Sequence, residues 1–418
     1  MGSLDIAIVG AGPAGLASAL YLERLGHRPV VFERFEVARP VGSGLMIQPT
    51  GQAVLADLGL LPALQALGHR IDRLDGRDAA SGRVVLDVRY DALPGGQHAV
   101  GVHRAVLFDL LHEAVLARGI EIRTRREVTG LDRLSRGRML SFANGPPEGP
   151  FDLVVDASGG GSRLRSLAQR PAGVRPMRFG ALWATVPWAG DFAHDALMQR
   201  YRGASIMAGV LPIGQRQAGG PALAAFFWSL PVESHAGLLE RGFDSWRREV
   251  EGIWPACAVL LDRIDGFEAL TLARYAHLTL PVPSGEGIAF VGDSAHATSP
   301  QLGQGANMAL LDARALAIAI ETSPDVPAAL VRYGALRRWH VRLYQAMSLT
   351  LTPLYQSESR VLPVLRDILV ARIGRVPPLP RLLAGLVAGD LLSPLGRLGL
   401  GDGRAKAPRI PPRGEPAA

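Results

Sequence analysis

The chain has 418 residues, of which 48% are hydrophobic and 20% are charged, proportions typical of a globular protein with two or three domains. Its formal net charge of +7 rests almost wholly on arginine, because Lys406 is the only lysine. The arginines are scattered and form no stripe interleaved with aromatic residues, so we predict no nucleic-acid partner. Peripheral contact with an acidic membrane, or binding of an anionic substrate, stays open.

Cysteine content and hydropathy exclude further classes of protein. Cys257 is the only cysteine, which rules out an intramolecular disulfide and a thiolate metal cluster, and we predict no metal site. No apolar stretch reaches the roughly 18 residues typical of a spanning helix. A functional glycine loop begins by Gly10 with no basic segment before it, so we expect no cleaved signal peptide. We therefore predict a cytoplasmic, soluble protein.

A glycine-rich turn follows the first predicted strand. Residues 4–9 are an apolar, β-branched run suited to a buried parallel strand, and residues 16–25 form an alanine- and leucine-rich helix. Between them the chain reads Gly10-Ala11-Gly12-Pro13-Ala14-Gly15. In this pattern the first glycine permits a tight turn, the second lets the backbone approach a pyrophosphate, and the third lets helix pack on strand. The turn therefore predicts a dinucleotide site at a helix N-terminus.

The next strand ends in a residue suited to a ribose. Residues 29–32 form a second short apolar strand, which closes at Glu33. This carboxylate lies 18 positions beyond Gly15, a spacing typical of the acidic residue that accepts hydrogen bonds from a ribose diol. Because Arg34 follows it, the pair leaves open whether the nucleotide is NAD or FAD.

A second motif lies far along the chain and is similar to a motif of a known family. Residues 287–293 read as another buried strand, GIAFVGD, and run on through Ser294-Ala295-His296 to the stretch Pro300-Gln301-Leu302-Gly303-Gln304-Gly305-Ala306-Asn307. This segment resembles the FAD-dependent aromatic hydroxylases, the group A flavoprotein monooxygenases similar to p-hydroxybenzoate hydroxylase. The stretch His103-Arg104-Ala105-Val106-Leu107 is similar to the Arg-x-x-Leu helix start of that family. The resemblance covers most of residues 1–345.

The resemblance implies a role for each part of the second motif. Asp293, at the carboxyl end of its strand, would bond a ribityl hydroxyl of FAD, although such a carboxylate can also cap a helix. Gly303 and Gly305 would let backbone approach the flavin ring. The predicted helix over residues 306–320 would point its N-terminus at that ring and favour the reduced anion. The full set of expected FAD-binding residues is Gly10, Gly12, Pro13, Ala14, Gly15, Glu33, Arg34, Gly44, Arg104, Val128, Gly292, Asp293, Pro300, Gly303, Gly305, Ala306 and Asn307.

Two sites so far apart in sequence that grip one cofactor imply a discontinuous domain. We expect an α/β fold with a Rossmann-like FAD-binding domain, an inserted, mostly antiparallel β-sheet that binds substrate, and C-terminal helices. The expected FAD-binding pieces are residues 1–75, 101–175 and 281–345, and the sheet takes residues 76–100 and 176–280. Residues 346–400 are expected to be helical, and residues 401–418 to form a disordered Pro/Gly-rich tail.

The chain departs from the family at one position. Where the hydroxylases carry Asp-Gly before a Ser-Arg run, this chain reads Asp156-Ala157-Ser158-Gly159, a form more similar to flavin halogenases. Halogenases use a lysine near the flavin, and Lys406 in the predicted tail offers no such residue, so we favour a hydroxylase. The departure weakens what the resemblance implies about NADPH handling more than what it implies about FAD.

The resemblance implies a monooxygenase. NAD(P)H, a transient co-substrate, would reduce FAD, and dioxygen would add at the flavin to give a C4a-hydroperoxide that hydroxylates a small aromatic or quinol-like substrate. Two alternatives stay open: another FAD-dependent oxidoreductase (a dehydrogenase, epoxidase or reductase), and a non-catalytic FAD-containing binding protein. The oligomeric state is expected to be monomer or dimer.

The sequence does not identify a catalytic base. His296, Tyr201 and His277 are the candidates, followed by His103 and Tyr275, and each also fits a structural role. Tyr201, Met207 and Trp228 lie in the predicted sheet and would line an apolar substrate pocket, although core packing explains them about as well.

Overall fold

A computed structural model describes residues 1–36, 43–368 and 376–401. The strands in chain order are β1 Asp5–Val9, β2 Arg28–Phe32, β3 Gly44–Ile47, β4 His69–Ile71, β5 Arg73–Asp78, β6 Val84–Arg89, β7 Ala99–His103, β8 Glu121–Arg123, β9 Val128–Arg133, β10 Arg138–Phe142, β11 Glu148–Phe151, β12 Leu153–Asp156, β13 Arg175–Pro187, β14 Ala196–Arg202, β15 Ile206–Gln215, β16 Ala222–Pro231, β17 Thr271–His277, β18 Ser284–Gly285 and β19 Ile288–Phe290.

The helices alternate with these strands in the first part of the chain and dominate its end. They are α1 Pro13–Arg24, α2 Pro49–Asp57, α3 Leu61–Leu67, α4 Arg104–Ala117, α5 His235–Arg241, α6 Phe243–Ile253, α7 Ala258–Leu261, α8 Gly305–Glu321, α9 Val326–Tyr355, α10 Leu362–Ile368, α11 Leu379–Ala388 and α12 Pro394–Arg397. Short 3-10 helices include Gly292–Ser294 and Pro300–Leu302.

A six-stranded sheet forms the centre of the nucleotide-binding part. Its order is β18-β19-β12-β1-β2-β8, and every pair is parallel except β18 with β19. Strand β1 reads DIAIV, and the side chains of its last four residues are all buried. Parallel strands need both faces covered, which explains this continuous apolar run. Helices α1 and α8 pack on each other in the main hydrophobic cluster over one face.

A seven-stranded sheet forms the second layer. Its order is β17-β13-β16-β15-β14-β5-β6, and only β14 with β5 is parallel. One face packs against α5 to α7 in a core that contains Trp228, Trp246 and Cys257. Burial raises the pKa of the Cys257 thiol to about 12. The other face turns toward the nucleotide-binding part. The expected α/β fold with an inserted, mostly antiparallel sheet is confirmed.

The predicted element bounds are close to those observed. Helix α1 begins at Pro13, three residues before the predicted start, because the proline fits the first helical turn. The predicted strand over residues 287–293 is shorter, since Gly292–Ser294 forms a 3-10 helix. Strand β5 spans the predicted domain boundary after residue 75, and helix α9 spans the one after residue 345. The division of the chain into domains by residue ranges stays a prediction. The predicted tail lies outside the described residues, apart from Gly401.

Two further sequence predictions concern membranes and metals. Within residues 1–36, 43–368 and 376–401, none of the helices combines the length and hydropathy that crossing a bilayer requires. The same residues contain no cluster of three or more His, Cys, Asp or Glu side chains arranged to hold a metal ion.

Candidate active site

The turn between β1 and α1 is shaped by its glycines. Gly10 has φ +102°, a left-handed conformation, and a β-carbon there would lie 2.7 Å from the carbonyl oxygen of Ala157. A β-carbon on Gly15 would lie 2.0 Å from the carbonyl oxygen of Gly10, so only glycine lets the helix sit this close to the strand. By contrast, a β-carbon on Gly12 would meet no protein atom within 4 Å. The turn therefore leaves open space directly above the N-terminus of α1.

Glu33 fixes this turn through hydrogen bonds to its backbone. Its carboxylate is buried and accepts the Ala11 N–H at Oε2 (2.8 Å) and the Phe35 N–H at Oε1 (3.0 Å). Glu33 also lines the groove above the turn, so it both fixes the loop and presents acceptor lone pairs to a ligand. Arg34 is exposed, and its guanidinium lies 4.6 Å from the centre of the Phe35 ring.

The second motif brings Asp293 to the same groove. The Gly292 N–H donates to Oδ2 of Asp312 (2.8 Å), and Gly292 has φ +62°, which turns the chain sharply after β19. Asp293 follows at the point of the turn with its side chain accessible from the groove. Enclosure by protein raises the pKa of Asp293, while the charges of His296 and Arg104 oppose that rise. The strand end thus presents a single carboxyl group to a ligand.

The loop before α8 is held by Asn307. Its Oδ1 accepts the Gln48 N–H (2.8 Å), and its Nδ2 donates to the carbonyl oxygens of Met46 (3.2 Å) and Gly303 (2.9 Å). The side chain is fully buried and fully engaged, so Asn307 fastens the loop to β3 and is not available to a ligand. Its side chain therefore supports the loop, and Asn307 and Val128 stay predicted cofactor-binding residues. The Val128 side chain belongs to the same hydrophobic cluster as Phe32 and Phe151 and lines neither cavity described below.

Two cavities meet beside this loop. The dinucleotide groove, of about 300 Å³, is lined by Ala11, Gly12, Pro13, Ala14, Glu33 and their neighbours. The apolar cavity, also about 300 Å³, lies between the seven-stranded sheet and the ends of α9 and α11. Five residues line both: Leu45, Arg104, Asp293, Gly305 and Ala306. A ligand that fills the groove therefore reaches the mouth of the apolar cavity.

The junction fits an extended cofactor with a flat polar ring. A β-carbon on Gly305 would meet no protein atom within 4 Å, and Gly303 adopts φ +61°. Three buried polar atoms beside them, Thr298 Oγ1, Gln301 Nε2 and Gln304 Oε1, have no hydrogen-bond partner among the described residues. Such atoms are costly unless a ligand satisfies them. Helix α8 begins at Gly305, and its first N–H groups favour negative charge on that ligand.

The wall of the apolar cavity on the sheet side is made of alternate residues. Tyr201 and Met207 line it, as predicted. Trp228 does not: its ring lies in the core on the opposite face, with centroids 6.4 Å from Trp246. Its neighbour Phe227 lines the cavity and packs on Trp183 at 4.7 Å. Because successive strand residues point to opposite faces, a shift of one position exchanges pocket for core.

The chain matches the FAD binding domain family model over residues 3–340. It is 31% identical over 347 residues to 3-amino-4-hydroxybenzoate 2-monooxygenase of Streptomyces cremeus, covering 80% of this chain and 83% of that enzyme. It is 28% identical over 321 residues to 6-methylpretetramide 4-monooxygenase of Streptomyces rimosus, covering 74% and 73%. The protein belongs to the FAD-binding-domain family.

Solved structures agree on the fold. The crystal structure of Klebsiella pneumoniae HpxO in complex with FAD and uric acid has a TM-score of 0.77 at 22% identity, covering 94% of this chain and 98% of that one. The predicted FAD cofactor and the predicted class, an FAD-dependent monooxygenase, are confirmed. The dinucleotide groove stays the predicted site of that cofactor.

The histidine candidates lie away from the apolar cavity. His296 is buried, and its Nε2 lies 2.5 Å from Oδ2 of Asp312, whose other oxygen accepts from Nε of Arg337 (2.6 Å). His277 ends β17 with Nδ1 buried, and burial lowers its pKa. His103 caps α4 by accepting the Ala105 N–H at Nδ1 (3.2 Å). All three therefore fit structural roles in the flavoenzyme, and none lines the apolar cavity.

Asp156 and Ser158 act together in the loop where the sequence leaves the hydroxylase pattern. The buried Asp156 carboxylate accepts the N–H (2.9 Å) and the hydroxyl (2.5 Å) of Ser158 at Oδ1, and the hydroxyl of Ser162 at Oδ2. Burial raises the pKa of Asp156, and these hydrogen bonds oppose the rise. The hydroxylases carry an aspartate at the position of Ser158. In this chain the carboxylate belongs to Asp156, two residues earlier, and is buried beneath the loop.

Several residues of the apolar cavity were missed by sequence reasoning. They include Trp183, Gln199, Phe227, Tyr355, Gln356 and Val387, which come from three strands and two C-terminal helices. Only the apolar runs in β13 and β16 gave a signal. Tyr275 also lines the cavity, where its hydroxyl accepts from Nε1 of Trp183 (2.9 Å).

Proposed function

We propose that this flavoenzyme hydroxylates a small aromatic or heteroaromatic substrate bound in the apolar cavity, using NAD(P)H and dioxygen. The observation that carries the proposal is the junction of the two cavities at Arg104, Asp293 and Gly305. FAD in the dinucleotide groove would bring its reactive ring to that junction. A substrate in the apolar cavity would then lie against the ring.

The residues of the junction have separable tasks. Gly12 and the N-terminus of α1 would accommodate the pyrophosphate, with Arg104 as a nearby positive charge. Asp293 would bond the ribityl chain, and the N-terminus of α8 would stabilise negative charge on the reduced ring. When bound and reduced, FAD would supply the electrons that activate dioxygen. Arg104 also interacts with other groups of the protein.

The apolar cavity excludes water and positions the ring of the substrate. Its sheet wall carries Trp183, Met207 and Phe227, and its opposite wall carries Leu351, Leu386 and Val387. Such a lining favours a flat apolar substrate and protects activated oxygen from loss to water. Orientation would come from the few polar groups of the wall.

The cavity offers no evident base. Tyr201, Tyr275 and Tyr355 are its tyrosines, and burial raises the pKa of each, that of Tyr355 to about 12. At neutral pH these hydroxyls stay protonated, and that of Tyr201 donates to Oε1 of Gln199 (3.0 Å). No histidine of the described residues lines the cavity. A histidine or tyrosine of this cavity is therefore not expected to deprotonate the substrate, and Asp293 is the one carboxylate among the described residues that line it.

The test begins with the cofactor. We expect purified protein to be yellow and to release one non-covalent FAD per chain. NADPH and NADH oxidation should be slow alone and accelerated by some members of a panel of phenols and heteroaromatic rings, with one atom of labelled dioxygen in the product. Ring-dependent oxidation that leaves no label in any product would favour a dehydrogenase or reductase. Ligand binding without any stimulation would favour a binding protein.

A further inference from the structure

The apolar cavity is nearly free of charge. Of the described residues that line it, only Arg104 and Asp293 are of the acidic or basic residue types, and both also line the dinucleotide groove. The part of the cavity away from that junction is walled by aliphatic and aromatic side chains, among them Leu74, Leu86 and Val88. A carboxylate bound there would lose its hydration without gaining a partner cation.

One polar side chain in this wall has no partner. Gln356 follows the last residue of α9 and lines the cavity, and it is 6% exposed. Its Nε2 and its Oε1 are both buried, and neither has a hydrogen-bond partner among the described residues. A buried amide that forms no hydrogen bonds destabilises the protein unless a ligand completes it. Gln356 thus offers one donor and one acceptor, side by side, to a bound molecule.

The neighbours of Gln356 belong to the sheet wall and not to the flavin loop. The Ser357 N–H donates to the carbonyl oxygen of Ala204 (2.9 Å), which ties this segment to the turn after β14. The adjacent Tyr355 ring lies 5.5 Å from that of Tyr201, whose hydroxyl is already bonded to Gln199. The free amide therefore stands beside the part of the cavity that we assign to substrate.

A further arginine lies behind the two tyrosine rings and is fully buried. The Arg366 guanidinium lies 5.1 Å and 5.4 Å from the ring centres of Tyr201 and Tyr355, and its side chain is inaccessible. It pairs with Asp367 at 2.8 Å and donates to the carbonyl oxygens of Gly203 and Leu354. Its Nη2 forms that ion pair but no hydrogen bond of its own among the described residues, and Arg366 is not one of the residues that line the cavity. This arginine is therefore not placed to receive a substrate carboxylate.

We propose that Gln356 is a specificity-determining residue and that the substrate is a neutral heteroaromatic ring bearing an adjacent N–H donor and C=O acceptor, as in a lactam. A primary amide and a cis-lactam complement each other through two parallel hydrogen bonds. The proposal rests on the proposed function, and it selects neutral lactam-type rings over aromatic carboxylates.

The test uses three rings of similar size on the FAD-loaded protein. The probes are 2-quinolone, N-methyl-2-quinolone, which lacks the donor, and quinoline-2-carboxylate, which is an anion. Binding is measured as the perturbation of the flavin absorbance spectrum. We expect 2-quinolone to bind about tenfold or more tightly than either of the others, since each loses a hydrogen bond or buries a charge.

Variants then separate Gln356 from general stability. Gln356→Leu removes the two unpaired polar atoms, so it should fold normally and retain FAD, and it should bind 2-quinolone and N-methyl-2-quinolone equally. Ser348→Ala is the matched control, because Ser348 lies on the same helix with an unpaired buried hydroxyl but does not line the cavity. This variant should keep the wild-type preference.

Three results would overturn the proposal. They are tighter binding of the carboxylate, an unchanged preference in Gln356→Leu, and no flavin response to 2-quinolone in protein that holds FAD. Failure of the proposed function is a different result, namely that no aromatic ring stimulates NAD(P)H oxidation or takes up oxygen. The binding assay requires no catalytic turnover. It therefore tests the role of Gln356 in ligand preference whether or not the protein proves to be a monooxygenase of aromatic rings.

Discussion

The two halves of the active site are built in different ways. The FAD half uses backbone: short runs of consecutive residues, Gly10 to Gly15 and Gly303 to Gly305, place N–H groups and open space at the N-termini of two helices. The substrate half uses side chains, which come from separate positions on strands β5, β6 and β13 to β17 and on helices α9 and α11. The first half is therefore fixed by local sequence, whereas the second depends on the register of a sheet. We expect changes in the two halves to separate cofactor binding from substrate binding.

A large effect should come from Asp312, which supports the FAD half. It accepts the N–H of Gly292 and pairs with His296 and Arg337 in a fully buried cluster. Asp312→Asn leaves the buried Arg337 without its counter-charge, so we expect a loss of about 3–5 kcal/mol in the free energy of unfolding. Urea denaturation measures that loss, and FAD affinity should fall with it. Unchanged FAD affinity in a destabilised variant would uncouple the cluster from the FAD site.

The same carboxylate predicts a limit of acid stability. Burial alone would raise the pKa of Asp312, but His296 and Arg337 outweigh it and lower that pKa to about 2. Because folding lowers this pKa, the ionised carboxylate stabilises the folded protein at pH values above its ordinary pKa of 3.8. That stabilisation is lost as the pH falls toward 2. We expect this contribution to be about 2 kcal/mol, visible as a steeper loss of stability below pH 4 in the wild type than in Asp312→Asn.

The substrate half is tested by two adjacent residues of β16. Trp228→Ala should cost about 3–5 kcal/mol of unfolding free energy, because its ring fills the core behind the sheet, and should leave ligand specificity unchanged. Phe227→Leu should cost about 1.5 kcal/mol or less but change the affinity for aromatic ligands. Urea denaturation and flavin-perturbation titrations on both variants provide the measurement. A change of specificity in Trp228→Ala alone would mean that the sheet register is misassigned.

A medium effect is expected at Asp293. Replacing it with alanine should remove a charge-assisted hydrogen bond to FAD worth about 1.5–3 kcal/mol. The dissociation constant for FAD should rise roughly 10- to 150-fold, while the preference among bound aromatic ligands in FAD-saturated protein should not change. An FAD dissociation constant equal to that of the wild type would contradict the assigned role.

The smallest effect is expected at Ser158. Its hydroxyl donates to Asp156, which keeps the Ser158 N–H and the Ser162 hydroxyl as donors when that group is removed. Flavin reduction by saturating NADPH should therefore tolerate Ser158→Ala, with a loss of about 1 kcal/mol or less. Arg104→Ala should be more harmful, since it removes the positive charge at the junction of the cavities. Stopped-flow kinetics of flavin reduction measure both variants. If the flavin is reduced more slowly in Ser158→Ala than in Arg104→Ala, the roles assigned to the two residues are reversed.

Sequence reasoning reached the FAD half because its signals are contiguous. The spacing of Gly10, Gly12 and Gly15 dictates a turn, and Asp293 follows a recognisable strand. Within the same motif, Asn307 was predicted to bind the cofactor and His296 was a candidate base, yet their side chains bond to Met46 of β3 and to Asp312 of α8. Sequence position shows that a residue is near the site, but not in which direction its side chain points.

The substrate half resisted prediction for a physical reason. Residues 224–230 are apolar at nearly every position, because both faces of β16 are buried, so the alternation that distinguishes the faces is lost. Trp228 was therefore predicted in place of Phe227. Gln356 gave no signal at all, since only tertiary packing places the end of α9 beside Tyr201.

The single cysteine has a practical consequence. Cys257 is wholly enclosed by the helical layer behind the seven-stranded sheet, so a thiol reagent can reach it only when that layer opens. In conditions where opening is rare and reclosing is fast, the labelling rate measures the opening free energy of this layer alone. The dinucleotide groove, where we propose that FAD binds, lies on the other side of the sheet, and a ligand stabilises the states that bind it. If adding FAD lowers the rate of Cys257 labelling, then FAD binding stabilises the helical layer on the far side of the sheet. The native cysteine would thus report cooperativity across the sheet without an engineered residue.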